Sequence, residues 1–126
     1  MFVYRLGPNG KLILRALRPA HSPAELLPVL TFLEMLLSSP QRRKLHVLID
    51  ARINIGLSDV DFDVISAMVS FKRKMANALD FHVHRVSVVI LSSAMAALAR
   101  FVAPSGAFVT TSLAEAKLFL QQHPSV

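Results

Sequence analysis

The chain has no cysteine. That excludes thiol catalysis, disulfides, cysteine-held zinc and iron–sulfur clusters, and it fits a reducing compartment. Glycine is scarce. The four glycines, Gly7, Gly10, Gly56 and Gly106, are too dispersed to build the clustered loops that cradle phosphates. Charged residues make up 17% of the chain, where about 25% is usual. No apolar run reaches the roughly 20 residues of a bilayer-spanning helix, and the longest helical one, Leu26 to Leu37, is interrupted by Pro28, Thr31 and Glu34. Residues 1–20 carry Arg5, Lys11, Arg15 and Arg18 without an apolar core, so they do not read as a signal peptide. A cytoplasmic location is expected.

What the chain does have is apolar surface. Hydrophobic residues account for 53% of its 126 positions, against about 45–50% in ordinary soluble domains. The length fits one domain over 1–126, able to bury roughly two thirds of its unfolded surface. The apolar surplus points to a homodimer face, a partner face or an apolar pocket. Net charge is +6, but the cations fall in small groups, chiefly Arg42-Arg43-Lys44 and Lys72-Arg73-Lys74. No basic stripe interleaved with aromatics marks a nucleic-acid surface.

Periodicity gives the elements. Phe2 to Leu6 and Lys11 to Leu17 read as strands joined at Gly7-Pro8-Asn9-Gly10, a hairpin. Ser22-Pro23-Ala24-Glu25 opens a helix to about Leu37, with Ser as N-cap and Glu three residues on. Its apolar positions spread beyond one stripe, so burial on more than one side is expected. Leu45 to Asp50 is a nearly continuous apolar strand of the central kind. A helix follows from about Asp59 to Leu79, with acidic residues in its first turn and Lys72, Arg73 and Lys74 later, which suits the helix dipole. Arg85 to Ser92 is a second central strand, Ala94 to Val102 a short helix, Ala107 to Thr111 a last strand, and Ser112 to about Gln122 a capped closing helix. Strands alternating with helices imply parallel βαβ crossovers. The expected fold is α/β, an N-terminal β-hairpin followed by βα units in a five-stranded mixed sheet with about four helices.

The candidate chemistry thins out on inspection. Asp59, Asp61 and Asp63 resemble the start of a calcium loop, but Val64 and Ser70 stand where that loop needs Gly and Glu. Asp80, His82 and His84 would share one side if the segment were extended; a polar helix-to-strand connection is the expected reading. Ser92-Ser93 follows a buried strand as a nucleophile would, yet lacks the flanking glycines, and N-capping explains it better. Asp50, Arg52 and the histidines could act in acid–base roles, but no nucleophile–base pair or metal set is defined by spacing. Neither catalytic residues, metal nor cofactor are expected.

The segments HVLIDARINIGLSD (46–59), HRVSVVILSSAMAALARFV (84–102) and TTSLAEAKLFLQ (110–121), with the order of elements, resemble the STAS domain, the anti-sigma-factor antagonist fold, and its stand-alone bacterial relatives. The resemblance implies a non-catalytic regulatory or protein-interaction domain. Regulatory members carry Asp-Ser-Ser-Gly at the start of the second helix and are phosphorylated on a serine there. This chain reads Leu57-Ser58-Asp59-Val60, without the second serine and glycine, so a plain N-cap at Ser58 is expected. In open α/β sheets partners and ligands meet the carboxyl ends of the strands. The candidate site is therefore the loop carrying Asp50, Arg52, Asn54, Ser58 and Asp59, facing a protein partner or a second copy in a homodimer. The alternative is a carrier of a small apolar ligand, after a related lipid-transfer fold, with the Leu-, Met- and Phe-rich first helix lining its pocket.

Overall fold

The computed structural model describes residues 2–7, 10–39, 44–53 and 59–121. The elements run β1 (Phe2–Leu6), β2 (Lys11–Ala16), α1 (Leu27–Ser38), β3 (Leu45–Ala51), α2 (Phe62–Lys74), α3 (Ala76–His82), β4 (Val83–Ile90), α4 (Ala96–Val102), β5 (Phe108–Thr110) and α5 (Leu113–Gln121). The five strands form one sheet in sequence order, β1 antiparallel to β2 and the rest parallel. This is the expected mixed α/β sheet behind an N-terminal hairpin.

The topology dictates the layering. When strand order follows chain order, crossovers of one hand place every connecting helix on the same face. The core of that face joins Leu12, Leu14, Val47, Val86 and Val88 of the sheet to residues of α1, α3 and α4. Among the described residues the opposite face receives α5 alone, which packs over β3, β4 and β5 through Leu48, Val89, Ala116 and Leu120. Ser87 lies under it with no exposed surface, its Oγ donating to the Ala116 carbonyl at 2.9 Å. Small residues at both positions let helix and strand approach closely.

Local signals mostly act as their sequence suggests. Ser22 precedes a tight helical turn (Pro23–Leu26) that runs into α1. Glu25 turns back to accept the His21 and Ser22 N–H groups. The Ser92 hydroxyl accepts from Ala94 N–H at 3.3 Å, which is capping. At α5, Ser112 Oγ accepts the Glu115 N–H, while Glu115 accepts from the Thr110 hydroxyl, which itself accepts the Ser112 N–H.

Two details differ from expectation. The helix expected over Asp59–Leu79 divides at Met75, whose backbone (φ −100°, ψ 10°) ends α2 and starts α3. Met75 is buried, and the change of direction brings it, Ala78 and Leu79 onto the core together. Second, α1 is buried on one side only: Val29 and Leu37 are inside, whereas Leu27 and Met35 are exposed. It lies near the sheet edge, where Phe32 stacks on Tyr4 of β1 with ring centroids 4.1 Å apart. The expected helix-to-strand connection is found: Asp80 and His82 belong to α3 and His84 to β4, so the extended arrangement is not adopted. The His84 ring instead meets His46 edge-on at 5.2 Å.

Candidate functional site

The strand ends gather the site. Asp50 and Arg52 leave β3 two residues apart, a spacing that puts both side chains on one side of extended chain. Arg52 Nε donates to Asp50 Oδ1 at 2.9 Å and Nη2 to Oδ2 at 2.8 Å, a fork-on-carboxylate pair. Hydrogen bonding from Arg52 holds the Asp50 carboxyl below the ordinary aspartate range, with the charge of Arg15 adding to the effect. The same pairing raises the Arg52 guanidinium. Arg15 is the register partner of Asp50 across β2 and β3, so both side chains leave the sheet on one face. Nearby, Arg18 Nη1 donates to Glu25 Oε1 at 2.6 Å. The His21 backbone N–H, then Arg18, lowers the Glu25 carboxyl.

Of the other expected site residues, Asn54 and Ser58 lie outside the described residues. Asp59 is described and exposed, on the approach to α2. The cap of α2 is Asp61, not Ser58: its carboxylate accepts from Asp63 N–H at 2.9 Å and Val64 N–H at 3.1 Å. The helix starts at Phe62, later than the sequence suggested, so the cap moves with it. Among the described residues no three His, Asp or Glu side chains gather at metal-holding distance, and no helix is long and apolar enough to cross a membrane.

A more apolar feature lies on the helix-covered face. Between sheet and helices is a cavity of about 330 Å³. Its floor includes Leu14, Val47 and Val88 of the sheet, and its walls and roof include Leu33 of α1, Met68 and Phe71 of α2 and Ala99 of α4. Among the described lining residues, Lys72 and Ser92 are the polar ones. Lys72 Nζ donates to the Phe101 carbonyl at 3.2 Å. The roof is thin because α2 buries only Val64, while Met68 and Phe71 face the space half-buried.

At the carboxyl edge of the sheet a second, open cleft is walled by Arg15, Arg18, Asp50 and Arg52. Ile53 and Leu91 line both spaces at the carboxyl edge of the sheet, but Arg15 and Asp50 follow Ile13 and Leu48 onto the α5 face, so the charges of the rim lie on the other side of the sheet from the apolar cavity. Periodicity could not expose the cavity, because side chains facing a void keep the same spacing as those facing a core. The one advance signal was the apolar surplus. No family model, no curated protein and no solved structure matches this chain.

Proposed function

We propose that the chain is a non-catalytic, STAS-like domain that binds a small apolar or lipid-like molecule between its sheet and its helix layer. The cavity carries this reading. Native interiors hold few voids larger than a water molecule. Left empty, a space of about 330 Å³ that is partly open to solvent leaves its apolar lining either unpacked or wetted, and both are unfavourable. Water does not solve the problem, since each buried molecule needs about three polar partners and among the described lining residues Lys72 and Ser92 alone are polar. A bound apolar molecule does.

A second reading, the regulatory interaction module, is favoured by the rim itself. Leu17 and Leu91 are each 56% exposed, and both lie beside Arg15 and Arg52 in the open cleft. Apolar anchors ringed by charge suit a protein partner or a second copy. One experiment separates the readings: native mass spectrometry of the full chain purified from cells without detergent. A co-purifying molecule of a few hundred daltons, replaceable after extraction by the neutral probe N-phenyl-1-naphthylamine, is expected. A chain that carries nothing and takes up no probe overturns ligand binding, and a bare dimer or heterocomplex would favour the module.

A further inference from the structure

Among the described residues α5 covers half of its face of the sheet. It lies over β3, β4 and β5, with β4 at the centre. Neighbouring helices stand about 8–10 Å apart and neighbouring strands about 4.8 Å apart, so a second helix beside α5 would sit two strands away, on β2. The register identifies the residues there. Val3 pairs with Arg15 and Arg5 with Ile13 across β1 and β2; Ile13 pairs with Leu48 and Lys11 with His46 across β2 and β3. All of these side chains therefore share the α5 face. Val3 is 50% exposed and Ile13 half-buried, a narrow apolar seam. Around it Arg5 and Arg15 are exposed and Lys11 is half-buried. Lys117 joins them. Glu115 and Phe119 turn toward Thr110 and Phe108 of β5, and the helical period puts the exposed Lys117 on the opposite flank, toward β2. Asp50 borders this strip, and Arg52 already holds it. Glu34 of α1, Asp63 of α2 and Asp80 of α3 belong to the helix layer on the other face.

We propose that this strip docks a helix of a partner protein, one with a narrow apolar seam and acidic flanks, lying beside α5 over β1 and β2. Charge complementarity selects the occupant. A second copy of the chain would bring the same cations against these. A single-stranded nucleic acid stacks on aromatic platforms, but Phe2 and Tyr4, the aromatic residues of β1, alternate to the helix-covered face, where Tyr4 meets Phe32. A seam of Val3 and Ile13 between arginines suits leucine side chains bordered by glutamates. The strand β2 is six residues long, about 20 Å, which a helix of about 13 residues spans. The strip and the cavity lie on opposite sides of the sheet, so neither occupant needs the other.

The test is fluorescence anisotropy, with the full chain titrated into a fluorescein-labelled, stapled helical peptide of about 13 residues that carries leucines along one seam and glutamates on both flanks. Two relatives of this peptide are compared, one with lysines in place of the glutamates and one with alanines in place of the leucines, and an oligothymidylate stands for nucleic acid. The acidic amphipathic peptide is expected to bind about tenfold more tightly than either relative. Arg5→Glu combined with Arg15→Glu should weaken it by about tenfold. Arg73→Glu combined with Arg100→Glu makes the same change in net charge on the helix layer and should leave binding unchanged. All four residues are exposed, so both double variants are expected to keep the parent's Tm. Absence of binding, equal binding of the lysine or the alanine peptide, or equal loss in the two double variants overturns the proposal. Oligothymidylate binding tighter than the peptide and lost with Arg5 and Arg15 also overturns it, and gives the strip to nucleic acid. Uptake of N-phenyl-1-naphthylamine should be the same in the Arg5 and Arg15 double variant as in the parent, so a failure here leaves the cavity's ligand standing.

Discussion

Two residues show how differently polar groups act in this domain. Asp50 sits at the rim, its side chain 15% exposed, against an Arg52 side chain 40% exposed. Solvent screening keeps such a pair small, below about 1 kcal/mol. The folded carboxyl titrates below its ordinary 3.8. Its stabilisation is therefore complete above that value and lost as pH falls through the lowered folded one. Asp50→Asn should cost less than about 1 kcal/mol in urea unfolding at neutral pH, with the gap to the parent closing in strong acid; a constant gap would exclude titration of Asp50 as its source. Ser87 is the opposite case, wholly buried with one hydrogen bond to Ala116. Replacing it by alanine removes that bond and should cost about 1 kcal/mol, measured the same way. An unchanged midpoint would show that the Ala116 carbonyl does not need it. The sequence offered a hint here, a lone serine inside Val86 to Ile90, whereas Asp50 and Arg52 were legible from their place after an apolar strand.

At the scale of elements, legibility followed the strength of the local code. The hairpin, the parallel strands and the cap at Ser92 could be read because turn residues, apolar runs and capping serines act within a few positions. The start of α2 could not, because Ser58, Asp59 and Asp61 are all good caps and only the path of the chain selects among them. Asp61 was selected, and it satisfies two backbone donors. The break at Met75 was equally hidden, since the apolar spacing continues through it and the cause is burial of Met75 against distant strands. The choice of cap is testable. Asp61→Ala should destabilise the fold by about 1 kcal/mol. Because α2 roofs the cavity, the same change should weaken uptake of N-phenyl-1-naphthylamine; a change in stability with uptake intact would mean that the first turn of α2 does not shape the space.

At the scale of the molecule, one topological fact accounts for both the cavity and its neighbour. A sheet in strict sequence order has no reversal point at which helices on opposite faces part to leave a crevice. Its helices crowd one face, and space for a ligand must lie beneath them, reaching the strand ends from inside. If that space is open, ligand and packing compete for it. A neutral apolar ligand at a hundred times its Kd adds about 2.7 kcal/mol to stability, which for a chain of 126 residues raises Tm by about 10 °C. Ala99 of α4 faces the same space. Ala99→Leu adds three carbons where there is room for them, so it should raise the Tm of the ligand-free chain and shrink the ligand-induced rise. Had the helices already closed on the sheet, the larger side chain would instead overpack the core at about 1–3 kcal/mol and lower the Tm, and the parent chain would show no ligand-induced rise. Differential scanning calorimetry of the two chains, with and without 1-decanol, therefore reads the state of the cavity from two sides, and only an open cavity yields a higher Tm for both the filled variant and the liganded parent.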